Sequence, residues 1–317
     1  MGNSDRKTVI SVRGLCKSFG DVKAVDGVDL DVYQGEVLGV LGPNGAGKTT
    51  LISMLTGISK SDSGSATICG FDLVKDSRQI KRIVSLVPQD LAMYMELSAL
   101  DNMNFFANLY GLKGKEKANR IQEALDISQL QEWAHKKVGT FSGGMKRRLN
   151  LAVGFINHPI VIFLDEPTVG VDPHSRNYIF ESIHRLVNQF KMTVIYTTHY
   201  MEEAEELCDR IAIYDQGMIV DLESTHVLLK KHGKTYLEIS LADIDEKIIK
   251  AIKALPDVDS VNVSGGNLYI QSERLLETTE SVLGLIRQAK VKVNSFNVRQ
   301  SDMESVFLKL TGKKLRD

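Results

Sequence analysis

The sequence predicts an α/β fold around a parallel sheet, followed by a smaller α+β unit, and three observations carry that prediction. Apolar runs of strand length, at Val37 to Leu41, Ile160 to Leu164 and Thr193 to Thr197, alternate with stretches of helical spacing, which is the pattern of a parallel sheet. The later two runs are apolar nearly throughout, as strands are when helices cover both faces of the sheet. Between the first run and the helix-like Leu51 to Leu55 lies Gly42-Pro43-Asn44-Gly45-Ala46-Gly47-Lys48-Thr49-Thr50, which fits a phosphate-binding loop. After about His226 the order becomes strand, helix, two strands, helix, strand, a βαββαβ arrangement that predicts a small split sandwich.

The glycine-rich loop has a chemical reading residue by residue. To wrap a pyrophosphate the backbone must turn its N–H groups inward, a path that glycine follows without steric penalty. The helix that follows adds its positive end. Lys48 would reach the β and γ phosphates, and the Thr49 hydroxyl would hold a Mg²⁺ that keeps most of its waters. A chance glycine-rich turn is the alternative, and the flanking strand and helix patterns argue against it.

Composition bounds the function. The chain has 317 residues, 43% of them apolar, enough for one large and one small domain with buried cores. Thirty-nine basic residues balance 40 acidic ones, so bulk attraction to nucleic acid or anionic lipid is not expected. Cys16, Cys69 and Cys208 are far apart and match no metal or redox spacing, so they are expected to be reduced, small core residues. The segment Met1 to Arg6 has no apolar stretch of a signal peptide, and Arg6 stands where a myristoylation site wants Ser or Thr. The apolar runs fall far short of the roughly twenty residues a membrane helix needs, so at a membrane another chain would do the spanning.

In chain order, Val9 to Glu36 reads as strands, most clearly in the alternation of Val28 to Val32. Phe19 falls on a turn between them, either as a core anchor or as a stacking platform for a base. Ser61 to Ser65 reads as a turn, Ala66 to Ile68 as a short strand, and Ile83 to Val87 as another, which leaves Gln89 at a strand's carboxyl end. From about Leu91 to Val138 the spacing turns helical, with Ser98 as an N-cap. A helix starts after Pro173 and runs through Phe180, Ile183 and Leu186. In the tail, strands are expected at Thr235 to Leu241, Ser260 to Val263, Asn267 to Gln271 and Val291 to Val298. Helices are expected at Asp245 to Leu255, Leu276 to Ala289 and Asp302 to Leu310, and a hairpin turns at Gly265-Gly266.

Three clusters sit at or near element ends, where ligands bind in such sheets. Asp165-Glu166-Pro167-Thr168 leaves a strand with adjacent carboxylates and reads equally as a capping turn. His199 directly follows Val194 to Thr198, and a lone His there is commonly structural. Thr140-Phe141-Ser142-Gly143-Gly144-Met145-Lys146-Arg147-Arg148 reads, alone, as a helix start.

Taken together and in this order, these motifs resemble the nucleotide-binding subunit of ATP-binding cassette (ABC) transporters over roughly residues 8–225. The resemblance implies a phosphate-loop (P-loop) NTPase of ABC type, a mixed sheet core with a helical subdomain at about 91–157, and an accessory domain at 226–317. The match assigns the phosphate loop to Gly42 through Thr50, the Q-loop to Gln89 and the signature to Phe141 to Met145. It likewise assigns the Walker B strand to Ile160 to Glu166, the D-loop to Val169 to Asp172 and the switch histidine to His199.

The resemblance also implies a role for each of these residues. Phe19 would stack on adenine. Asp165 would hold Mg²⁺ through water, Glu166 would act as general base on the attacking water, and Gln89 would meet the ion or that water. His199 would hydrogen-bond the γ-phosphate. Ser142, Gly143 and Gly144 would face ATP on a second subunit, with Asp172 beside them, so that two chains close head to tail over two ATP molecules. The subunit would sit peripherally on the cytoplasmic face of the membrane and drive a separate transmembrane permease. The wording Glu166 to Pro173 resembles bacterial and archaeal exporters of drugs, peptide antibiotics and lipid-like compounds. A nucleic-acid ATPase is disfavoured because the chain lacks a long coiled-coil insertion, a second cassette and a basic tail. An importer whose tail senses ligand is the other alternative. Two departures stand out: the signature opens with Phe141 instead of Leu and ends with Met145 instead of Gln, so packing is the expected role of Met145.

Overall fold

The computed structural model describes residues 6–312 apart from 234, 243–244, 265, 273, 290 and 301. Met1 to Asp5 and Gly265 of the expected hairpin turn lie outside the described residues. The chain divides into two compact units, one running to Ser224 and one beginning at Thr225.

The first unit contains, in order, β1 (Thr8–Phe19), β2 (Val22–Tyr33), β3 (Val37–Leu41), α1 (Lys48–Leu55), β4 (Ser63–Ile68), β5 (Phe71–Asp72), α2 (Ser77–Ile83) and β6 (Val84–Val87). It continues with α3 (Ala99–Leu109), α4 (Gly114–Ile127), α5 (Gly143–Phe155), β7 (Val161–Asp165), α6 (Pro173–Phe190), β8 (Thr193–Thr198), α7 (Met201–Leu207), β9 (Arg210–Asp215) and β10 (Met218–Glu223). A six-stranded sheet runs β10-β9-β3-β8-β7-β6, parallel except where β10 returns along β9. A second, antiparallel sheet runs β2-β1-β4-β5.

The parallel sheet is buried on both faces, and the alternation of β7 shows how. Val161 and Phe163 enter a core shared with α1 and the antiparallel sheet, while Ile162 and Leu164 enter one shared with α3 to α6. With both faces covered, a strand has no polar side to show, which is why its sequence reads as one apolar run.

Local signals explain several boundaries. Ser98 caps α3 in a reciprocal capping box with Asp101, and Asp172 with Pro173 behind it opens α6. Elsewhere the structure corrects the sequence pattern. Phe19 ends β1 instead of lying in the turn, and β4 begins at Ser63, inside the expected turn, because its first residues pair with Arg13 and Cys16 of β1. Nothing in the spacing foretells α2, whose only buried residue is Ile80.

The second unit comprises α8 (Thr225–His232), β11 (Thr235–Leu241), α9 (Glu246–Lys253), β12 (Ser260–Ser264), β13 (Asn267–Gln271), α10 (Leu275–Gln288), β14 (Val293–Gln300) and α11 (Met303–Thr311). Its sheet order, β12-β13-β11-β14, is antiparallel throughout, the split sandwich its pattern predicts. Leu237, Ile239, Leu268 and Ile270 form its core with Ile252 and Ile286 of the helices.

Candidate functional site

The phosphate-binding loop occupies the carboxyl end of β3 and opens α1. Gly47 caps that helix without a side chain, which leaves the first-turn N–H groups with no preceding helical carbonyl. The residue must be glycine on two grounds. Its φ is 105°, and a Cβ there would lie 1.9 Å from the Ala24 carbonyl oxygen. The loop from Asn44 to Thr50 lines a cavity of about 590 Å³, joined by Gln89, Glu166, Lys23 and Ala24 of β2, and Gln216-Gly217 of the β9–β10 turn. Sequence reasoning did not single out Gln216 or Gly217. The Gly217 N–H donates to the Ala46 carbonyl at 2.9 Å and so fastens that turn to the loop. Its signal was present, a glycine between two strand patterns, but nothing in the sequence says which loop such a turn will meet.

Lys48 is buried and donates to the carbonyls of Gly42 (2.8 Å) and Pro43 (3.1 Å). Its Nζ also stands 3.1 Å from Glu166 Oε1, and His199 Nδ1 stands 3.1 Å from Glu166 Oε2. Glu166, 7% exposed, thus joins the loop lysine to the histidine that follows β8. Its φ of 45° is left-handed, a conformation that costs a non-glycine residue about 1–3 kcal/mol and that clusters at functional sites. Thr197 of β8 steadies the turn. Its hydroxyl donates to Asp165 Oδ1 at 2.6 Å and accepts from the Glu166 N–H at 3.0 Å, so one side chain orients both acidic residues.

Gly42, Pro43, Asp165 and His199 do not themselves line this cavity, and neither do the remaining sequence candidates. Phe19 is 56% exposed at the end of β1, with Lys17 Nζ 5.5 Å from its ring centre. Ser142 caps α5, its hydroxyl accepting from the Met145 N–H at 3.2 Å, and Gly143 is exposed. Gly144 lets α5 approach α6 closely, since a Cβ there would meet the Ser175 hydroxyl at 2.2 Å. Met145 packs partly buried against the helical core. Asp172 caps α6 by accepting from the Ser175 N–H at 3.0 Å, a bond that holds its carboxyl below the usual range. One further connection is invisible in the sequence: Arg147, on the helix that Ser142 caps, donates to the carbonyls of both Gln89 and Val169.

A strand, glycine-rich loop and helix beside a cavity of about 590 Å³, with a buried carboxylate on its wall, define a nucleotide-binding α/β protein of the phosphate-loop class. The sequence profile of the ABC transporter family matches residues 25–169. The chain is 38% identical to the linearmycin resistance ATP-binding protein LnrL of Bacillus subtilis (strain 168), covering 98% of this chain and 100% of that one. It is 36% identical to the Nod factor export ATP-binding protein I of Rhizobium sp. (strain N33), covering 98% and 99%. Among solved structures, cbiO1 of Clostridium perfringens, part of the ABC transporter complex cbiONQ, aligns with a TM-score of 0.65 at 25% identity, over 78% of this chain and 96% of that one. The chain belongs to the ABC transporter family as an ATP-binding, ATP-hydrolysing subunit.

Proposed function

We propose that this chain powers an exporter by hydrolysing ATP in the cavity beside the phosphate loop, with Glu166 as general base. The observation that carries this reading is the chain of contacts that runs from Lys48 and Glu166 on the cavity wall to His199. The phosphate loop binds the triphosphate, and Lys48 neutralises its β and γ oxygens. Glu166 accepts a proton from the attacking water, while His199 holds the carboxylate and meets the γ-phosphate. The hydroxyl of Thr49, the amide of Gln89 and the carboxylate of Asp165 fit Mg²⁺, a hard cation that takes few protein oxygens and keeps its waters. When bound, that ion neutralises charge on the β and γ phosphates.

Ser142, Gly143 and Gly144 lie outside the lining of their own chain's cavity, which supports their use by ATP on a second subunit. The family pattern then makes the working unit a head-to-tail dimer, with Asp172 at the shared boundary and Phe19 stacking on adenine. No helix among the described residues is long and apolar enough to cross a membrane. In this reading a separate permease carries the cargo, and the subunit works peripherally on the cytoplasmic face. Exposed Tyr94, Leu97, Phe105, Leu109 and Tyr110 of the helical segment offer that partner an apolar surface. The names of the relatives, one for linearmycin resistance and one for Nod factor export, favour an export role.

Glu166→Gln tests the reading, since it keeps the shape and removes the base. ATP hydrolysis should fall by roughly 10²–10⁴ with ATP binding retained. Turnover at the wild-type rate would exclude Glu166 as the base.

A further inference from the structure

Glu203, on α7, is 2% exposed, and its carboxylate gathers three hydroxyls. Thr168 donates to Oε1 at 2.7 Å, while Tyr196 (2.9 Å) and Thr198 (2.7 Å) donate to Oε2. The Tyr196 and Thr168 hydroxyls are themselves 3.1 Å apart, and the Thr198 hydroxyl accepts from the Tyr200 N–H at 2.9 Å. The cluster lies directly beside the reaction machinery. Thr168 follows Glu166 by two residues on the way to the Val169–Asp172 loop, and Thr198 and Tyr200 flank His199 on either side.

We infer that Glu203 is a positioning residue that locks the Glu166 turn and the His199 turn into one register through hydroxyls on each. The geometry explains why a carboxylate is needed here. An acceptor-only group can take three O–H donors on two oxygens, whereas an amide would turn one of its sides into a donor facing hydroxyls that already donate. Burial raises the affinity of such a network for one arrangement, because an unmade bond inside the protein has no water to replace it. Burial, with the neighbouring carboxylate, also pushes the Tyr196 phenol far above its ordinary range, so that it stays a donor throughout the working pH range. Glu203 touches no reacting atom. It acts by holding the Glu166–His199 contact of 3.1 Å, and a displacement of about 1 Å in such a pair costs on the order of 10²-fold in rate.

The inference rests on the proposed roles of Glu166 and His199, and the test separates the two. Full-length Glu203→Ala, Glu203→Gln, Thr168→Val and Glu166→Gln are compared with wild type for kcat, KM for ATP, ATP affinity and Tm. A positioning role predicts that Glu203→Ala lowers kcat by about 10- to 100-fold. It predicts only partial rescue in Glu203→Gln, with kcat left roughly two- to tenfold below wild type, the net worth of one hydrogen bond. ATP affinity should stay within about twofold, because the phosphate loop is untouched. Thr168→Val should add little to Glu203→Ala, since the two changes break the same bond. If Glu203→Gln folds with wild-type Tm and kcat, the carboxylate is not needed and the inference falls; if kcat per folded molecule is unchanged in Glu203→Ala while only Tm drops, it falls too and Glu203 is a stability residue. If Glu166→Gln hydrolyses ATP normally, the underlying assignment has failed instead.

Discussion

In the first unit several residues that break local rules meet at the carboxyl end of the six-stranded sheet, whereas in the second the strands pair with little interruption. Glu166 with its left-handed φ, Gly47 pressed against Ala24, and the buried Lys48 and Asp165 all lie within the reach of two turns and a loop. Even the flanking strands β1 and β2 shift register four times. In the second unit β12 and β13 pair from Ser260–Gln271 to Ser264–Asn267 with no shift, and β11 against β13 likewise. Strain and buried polarity persist only where surrounding structure imposes them, and chains that carry a site concentrate such exceptions there. The contrast marks the first unit as the one shaped for chemistry.

The sharpest way to break that contrast is to add one carbon to a left-handed glycine of each unit. Gly47→Ala would thrust a Cβ at the Ala24 carbonyl and demand a φ that alanine resists. The loop must open, and with it go several charge-assisted hydrogen bonds to phosphate, each worth about 1.5–3 kcal/mol. ATP affinity should fall by at least about 10²-fold, measured by titration with a fluorescent nucleotide. Gly266→Ala asks the same of the second unit, but there the φ is 80° and no atom stands within 4 Å, so ATP affinity should be unmoved. A large loss of affinity in that variant would end the claim that the exceptions in the first unit are the functional ones.

How far the sequence speaks follows the same division. The second unit was legible almost element by element, because its strands alternate and its helices show apolar stripes, signals that depend only on neighbours along the chain. The phosphate loop and the Glu166 turn were legible for a different reason, their chemistry being written in contiguous residues. What stayed hidden was assembled across the chain. Nothing local marks Gln216-Gly217 as cavity wall, Arg147 as the link between the carbonyls of Gln89 and Val169, or Glu203 as the acceptor for Thr168. Ser63 as the start of β4 was hidden too, since pairing with β1 overrides its turn-like composition.

A milder probe acts on packing alone. Leu237 is fully buried in the second unit's core beside Ile239 and Ile270. Leu237→Ala should cost that unit about 2–5 kcal/mol, lost transfer energy plus the cavity left behind. Because every described member of the cluster around Leu237 belongs to the second unit, hydrogen exchange should quicken there and stay slow in β3, β7 and β8. Equal quickening in both units would show that the two unfold as one.

The smallest effect comes from removing the second unit altogether, and it asks what that unit is for. Every described residue lining the phosphate site precedes Met218, so deletion after Ser224 leaves each cavity complete, and the affinity of a single chain for ATP should persist. If the second unit strengthens pairing between subunits, the truncated chain should lose steady-state ATPase activity only at low protein concentration, because Ser142 to Gly144 complete a site only across the dimer. Mass action then restores the rate as concentration rises. A unit that senses ligand and restrains hydrolysis gives the opposite result, a truncated chain that equals or exceeds the full one at every concentration. Rate plotted against protein concentration for both chains separates these outcomes. A flat curve for the truncated chain would exclude the pairing role, and a rate above that of the full chain would mark the loss of a restraint.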